Sequence, residues 1–267
     1  MLAAIAGDII GSGFERSLFS GKTFRTAFCS GYDVMNPRVD RSGQDAKDFR
    51  FFVRSDRFTD DSVYLVAIMY WLLYGEELPM LLRRYYADFP HVGWGAFVKK
   101  WARAKAGTAC GSFGNGAAMR VTPVAHCADT LAQTLQLARE AAIVTHLVPH
   151  GVEGTQALAM GVFLARHGET KEKIARAIKR KFRYDLEYPL DAVRPFYAFT
   201  SLCSRTVPLA FRAFLEGKDY ESVIRRAVSV GGDSDTIASM AGGLAGAYYG
   251  VPSEMQKAAL LKLPIQM

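Results

Sequence analysis

The sequence predicts an all-α protein of one domain spanning 1–267. Three observations carry this. Apolar residues recur at helical spacing in segment after segment, convincing alternating strands are scarce, and the longest unbroken apolar run, residues 63–74, is twelve residues long. Twelve residues suit a buried helix and are too few to span a bilayer.

The helical segments follow in order. Thr59-Asp60-Asp61 precedes the apolar run as an N-cap leading into it. Residues 130–145 place Leu131, Leu135 and Ala138 on one face, and residues 154–166 repeat the pattern. Residues 171–182 are amphipathic through Ile174, Ile178 and Phe182. Residues 219–229 and 234–249 complete the set, the last so rich in Gly and Ala that neighbouring backbones can approach it closely. The stretch 30–57 is polar and irregular and reads as a long loop. There is no internal repeat, low-complexity tract or Pro/Ser-rich linker.

Composition narrows the class. Half of the 267 residues are apolar and 22% are charged, an ordinary globular balance. The 33 Lys/Arg against 26 Asp/Glu leave a net charge of +7, much of it in residues 171–183, where seven basic residues face the single Glu172. A solvated helix face accounts for such a run, so nucleic acid is not predicted as a partner. Cys29, Cys110, Cys127 and Cys203 show no CxxC pairing, as expected of reduced thiols in a cytoplasmic protein. The N-terminal segment has no basic region and Asp8 interrupts its apolar run, unlike a signal peptide. A monomer without membrane attachment is the expectation.

Three acidic-polar clusters sit at the edges of apolar helices: Asp8 with Glu15, Thr59-Asp60-Asp61-Ser62, and Asp233-Ser234-Asp235-Thr236. A helix cap explains each taken singly, since Asp, Ser and Thr are preferred there. One carboxylate suffices for a cap, however, and two close together beside buried surface repel unless a cation or donor compensates them. All the candidate ligands are oxygens, which selects a hard cation, Mg²⁺ or Mn²⁺, over zinc. Clusters from opposite ends of the chain could converge on a two-metal site.

Two further elements carry chemistry. Residues 111–116, Gly-Ser-Phe-Gly-Asn-Gly, form a glycine-rich loop whose backbone N–H groups can approach a phosphate. It matches neither a P-loop nor a dinucleotide-binding fingerprint. His146 and His150, in Thr-His-Leu-Val-Pro-His-Gly, offer a donor and a base, with His150 read as an ordinary surface or helix-end residue.

Taken together, these segments resemble the ADP-ribosylglycohydrolase family, the group that includes the dinitrogenase reductase-activating glycohydrolases. The resemblance runs from Ala6 to about Pro252 through five motifs in the family's order: GDIIGSGFE, FTDDS, GSFGNGAAMRVTPVA, THLVPHGVEGTQALA and GGDSDTIASMAGGLAGAYYG. It implies a compact orthogonal helix bundle with a two-metal cleft holding two divalent cations, Mg²⁺ or Mn²⁺. Thr59, Asp60 and Asp61 match one group of metal ligands, and Asp233, Asp235 and Thr236 the other. Glu15 matches a carboxylate near the reacting ribose. Ser112, Gly114, Asn115 and Gly116 match the loop that holds pyrophosphate and distal ribose. Phe113 stands where relatives often carry Tyr, and His146 matches a substrate-contacting histidine. Glu15, or a metal-bound Asp61, would be the base for water. Val148 replaces a second histidine found in many bacterial relatives, and Ser62 and Ser234 replace frequent threonines.

The implied reaction is hydrolysis of the C1″ glycosidic bond of ADP-ribose on a modified protein, arginine-linked in the first place. The alternatives are an O-linked ADP-ribose, on serine or in O-acetyl-ADP-ribose, and a silent relative that binds ADP-ribose without cleaving it. Loss of metal ligands would mark the silent form, and no matched ligand position is lost here.

Overall fold

The computed structural model describes residues 1–15, 49–105, 111–265 and 267. Thirteen helices stand among the described residues. They are α1 (Leu2–Ser12), α2 (Asp60–Tyr74), α3 (Leu78–Asp88), α4 (Ala96–Arg103), α5 (Thr122–Cys127), α6 (Leu131–Ile143) and α7 (Pro149–Arg166), then α8 (Lys171–Phe182), α9 (Leu190–Val193), α10 (Cys203–Glu216), α11 (Tyr220–Ser229), α12 (Ser234–Tyr249) and α13 (Ser253–Leu260). No strand occurs among the described residues, only the isolated bridges Gly111–His146 and Gly114–Leu202. The all-α expectation holds. Of the 30–57 stretch read as a loop, residues 49–57 are described and form no helix, and the rest lies outside the described residues.

The helix starts follow local chemistry. The Thr59 hydroxyl accepts the Asp61 N–H ahead of α2, Thr130 and Thr170 do the same for α6 and α8, and Asp219 and Ser222 exchange hydrogen bonds in a capping box before α11. Helix α8 buries Ile174, Ile178 and Phe182 and turns all its basic side chains but Lys171 to solvent, where Lys173 pairs with Glu169 and Lys179 with Glu187. Lys171 is half-buried and donates to the Leu215 and Gly217 carbonyls. Cys127 and Cys203 are both free thiols, while Cys29 and Cys110 lie outside the described residues. No described helix is long and apolar enough to cross a membrane.

Helices α1 and α12 form the central seam, running antiparallel so that Ala3, Gly7 and Gly11 face Gly246/Gly242, Ala238 and Asp235 in turn. These small residues recur every fourth position, one face of a helix. A Cβ on Gly7 would stand 2.1 Å from the Ala238 carbonyl oxygen, and one on Gly11 would stand 2.5 Å from the Asp235 Cα. The contact therefore admits no side chain. Ile5, Ile9, Ile10 and Phe14 of this first segment are buried in the main core beside Tyr64, Leu65, Ile68, Phe211 and Phe214. Nothing in the notion of an apolar N-terminus distinguishes such a central helix from a peripheral one; the Ala/Gly spacing does.

The seam also positions chemistry. It brings Asp8, midway along α1, against the first turns of α2 and α12. Gly231 and Gly232, both with positive φ (77° and 68°), turn the chain sharply into α12, a conformation that glycine adopts without penalty.

Candidate active site

Asp8 is fully buried and accepts four hydrogen bonds from the start of α2. The Thr59 N–H (2.9 Å) and Ser62 N–H (3.2 Å) donate to it, as do the hydroxyls of Thr59 (2.6 Å) and Ser62. The Thr59 hydroxyl is thereby committed to organising α1 and α2, accepting from the Asp61 N–H while facing Asp8. Asp61, also buried, accepts from the Thr236 hydroxyl at 3.1 Å through Oδ2, and its Oδ1 has no partner among the described residues. Asp235 Oδ1 accepts the Thr236 N–H at 2.8 Å, and the Ser234 hydroxyl donates to the Gly11 carbonyl at the end of α1.

Two carboxylate triads result. In each, one oxygen from every member lies within 4.8 Å of the others: Asp8, Asp61 and Asp235 in one, Glu15, Asp233 and Asp235 in the second. Asp235 belongs to both. The two clusters predicted from opposite ends of the chain thus converge. Asp60 stands beside the triads without joining either, close enough to feel the charges of Asp8, Glu15 and Asp233. Asp8 is the residue that sequence reasoning left out of the ligand set. Its signal was present, as a carboxylate inside an otherwise apolar helical run, which is costly unless compensated.

Electrostatics mark this as a site short of positive charge. Burial raises every carboxyl group in it: Asp8 to about 6, Glu15 to about 7 and Asp60 to about 8, with Asp61, Asp233 and Asp235 also raised. Neighbouring carboxylates add to this at Glu15, Asp60, Asp61 and Asp235, whereas hydrogen bonds offset part of it at Asp8 and Asp233. An all-oxygen donor set, an unpartnered buried Asp61 oxygen and unrelieved repulsion all fit a hard divalent cation. In chelator the folded state holds protons that the unfolded chain has lost, so stability falls as pH rises from about 4 to about 8, by about 1.4 kcal/mol per pH unit for each proton held. Urea unfolding in EDTA at pH 5 and pH 8 measures it, and equal or greater stability at pH 8 contradicts it.

The glycine-rich loop adjoins the triads. Asn115 donates its side-chain N–H to Asp233 at 2.7 Å. The loop's backbone is pinned on one side to Thr145 and His146, and on the other to 201–203 through Asn115 N–H to the Ser201 carbonyl (2.8 Å) and Cys203 N–H to the Phe113 carbonyl (3.0 Å). Ser112 and Asn115 are buried and Phe113 stands exposed, its ring free to meet a ligand. Val148 touches the loop at Gly111, at 3.8 Å from where a Cβ would be. His146 is buried beneath the loop, facing Gly114 and Gly116, whereas His150 is exposed in the first turn of α7. The segment 195–202 was not singled out from sequence. It walls the site, with Tyr197 2.6 Å from where a Gly232 Cβ would be, and its clustered aromatics Phe196, Tyr197 and Phe199 were the available signal.

Comparison with known proteins agrees with this geometry. ADP-ribosylhydrolase ARH3 from Homo sapiens is 25% identical over 96% of this chain and 87% of its own length. Its counterpart from Bos taurus is 28% identical over 75% and 73%. A solved structure titled ADP-ribosylglycohydrolase-related protein complex superposes with a TM-score of 0.63 at 26% identity, covering 97% of this chain and 93% of that one. The ADP-ribosylglycohydrolase family profile matches residues 1–262, through both triads and the loop between them. The chain therefore belongs to the ADP-ribosylglycohydrolase family and is a glycosidic-bond hydrolase.

Proposed function

We propose that this chain, as one catalytic domain of the cytoplasm, hydrolyses the C1″ glycosidic bond of ADP-ribose on a protein side chain, with arginine as the first linkage to test. The observation that supports it best is the junction of two carboxylate triads at Asp235, tied by Asn115 to a glycine-rich loop with an exposed aromatic ring. Thr59, Asp60 and Asp61, joined by Asp8, and Asp233, Asp235 and Thr236 would hold two divalent cations, Mg²⁺ or Mn²⁺. When bound, these cations supply the positive charge that holds ribose hydroxyls and lowers the pKa of water.

The remaining roles belong to side chains. Ser112, Gly114, Asn115 and Gly116 hold the pyrophosphate and distal ribose, with Phe113 against the ligand and His146 beneath. Glu15 is the half-buried member of the triads, whereas Asp8, Asp61, Asp233 and Asp235 are buried. Glu15 therefore meets substrate and takes the proton of the attacking water, while Asp61, with its unpartnered Oδ1, serves as ligand. As the bond to the leaving group breaks, positive charge grows on the ribose, and the surrounding carboxylates stabilise it.

Glu15→Gln is expected to lower turnover by about 10²–10⁴-fold while ADP-ribose affinity stays within a few-fold. Unchanged turnover removes Glu15 from the mechanism. A second reading, an O-linked ADP-ribose, draws on Val148, which places an apolar side chain at the loop where bacterial relatives carry histidine. Arginine-linked and serine-linked ADP-ribosyl peptides, each with Mg²⁺ or EDTA, separate the two by chromatography of released ADP-ribose. EDTA-sensitive release from the arginine substrate is expected. Release from the serine substrate alone replaces the linkage, and release from neither despite ADP-ribose binding contradicts hydrolysis.

A further inference from the structure

Arg120 is one of the largest fully buried side chains of the protein. Its guanidinium lies over the Tyr64 ring at 5.4 Å, and Nη2 donates to the Ala141 carbonyl and to the Thr145 hydroxyl, each at 2.8 Å. That same Thr145 oxygen lies 2.7 Å from His146 Nδ1. A threonine hydroxyl has one proton and two lone pairs, and arginine only donates. If Nδ1 carried the ring hydrogen, the Thr145 hydroxyl would accept twice, and its own proton would be buried without an acceptor, since Thr145 is fully buried and its hydroxyl has no other partner among the described residues. An unmade hydrogen bond at such a place carries the full desolvation penalty. The satisfied arrangement runs one way. Arg120 donates to Thr145, and Thr145 donates to a bare Nδ1.

The ring hydrogen then sits on Nε2. That atom is buried, has no hydrogen bond of ordinary geometry among the described residues beyond the approach of the Gly114 backbone, and lies 3.9 Å from where a Cβ of Gly114 or Gly116 would stand. Burial first, and Arg120 second, push the ring's pKa down to about 3, with the Gly114 backbone acting in the opposite sense. The ring therefore donates without carrying a charge.

We propose that Arg120 and Thr145 are positioning residues of the ligand site: they fix His146 in its Nε2–H tautomer and so aim one hydrogen-bond donor at an oxygen of the ligand on the glycine-rich loop. The identity of that ligand as ADP-ribose rests on the function proposed above; the tautomer does not.

Nitrogen-15 NMR of the full-length chain tests this, using two-bond correlations from the ring carbons' hydrogens, with His146→Gln to identify the His146 signals among the five histidines. An acceptor-type Nδ1 and a protonated Nε2 are expected. Thr145→Val should mix the tautomers and weaken ADP-ribose binding by about ten-fold, while Thr145→Ser keeps both near wild type. A protonated Nδ1 in the wild type overturns the proposal. So does Thr145→Val retaining both pattern and affinity, or Thr145→Ser losing as much as Thr145→Val. Should Thr145→Val fail to fold, the wild-type spectrum and Thr145→Ser decide alone. A wild type with the expected tautomer that does not bind ADP-ribose overturns the ligand, and with it the proposed function, rather than the relay.

Discussion

Replacing Asp235 with Asn is expected to abolish turnover and, in chelator, to make the protein more stable. Asp235 is the carboxylate common to both triads. It is buried and its pKa is raised well above the ordinary range, first by burial and then by the charges of Glu15, Asp233, Asp61 and Asp8. Asn keeps the oxygen that accepts the Thr236 N–H and is neutral without holding a proton, so the metal-free fold is freed of both the repulsion and the cost of protonating this position. The melting temperature in EDTA should rise by about 2–4 °C for each kcal/mol of repulsion relieved. Adding Mn²⁺ should raise the wild-type melting temperature and leave the variant almost unmoved, since ligand binding stabilises only where the site persists. Turnover should fall by at least about 10³-fold, because the site supplies several kcal/mol of charge stabilisation. Scanning calorimetry with and without Mn²⁺ measures the first two effects. A variant that is less stable in EDTA, or that gains as much from Mn²⁺ as the wild type, contradicts the assignment of Asp235.

Gly7→Ala sets two effects of opposite sign against each other. In an isolated helix alanine is more favourable than glycine by about 1 kcal/mol. In the protein the new methyl would lie 2.1 Å from the Ala238 carbonyl oxygen. That atom is backbone of the facing helix, so no rotamer relieves the clash, and α1 must separate from α12. Overpacking of this kind costs about 3 kcal/mol or more. A fall in melting temperature of about 6–12 °C is expected, together with weakened Mn²⁺ binding, since Asp8 lies one residue along the moved helix and Asp235 faces Gly11. Thermal unfolding and Mn²⁺ calorimetry on the same preparation check both. A stabilised variant would show that propensity outweighs packing and that the seam is looser than described.

The elements legible in the sequence are those whose evidence is local. Thr59 caps α2, Ile174, Ile178 and Phe182 stripe α8, and the last amphipathic segments fall within a residue or two of the observed α11 and α12. What escaped depends on distant partners. Asp8 owes its place to Thr59 and Ser62, 51 and 54 positions away. No window around Asp8 contains them. Helix α10 carries Pro208 in its interior, which disguises it locally, and α4 spans only eight residues. Residues 195–202 form no helix, so no periodicity drew attention to Tyr197 and Phe199, and their role appears only once Gly232 and the glycine-rich loop pack against them. Arg120 and Thr145 lie within recognised motifs, but their relay to His146 is a matter of hydrogen-bond direction, which spacing does not express.

The triads around Asp235 are the proposed reaction centre. The direct measurement is to strip divalent ions from the wild type, return Mn²⁺ stepwise, and follow calorimetric binding and ADP-ribose release on the same samples. Release should be absent after chelation and should rise in step with Mn²⁺ bound, with neither signal in Asp235→Asn. Full release from the chelated protein, or native Mn²⁺ binding and turnover in Asp235→Asn, would place the chemistry elsewhere.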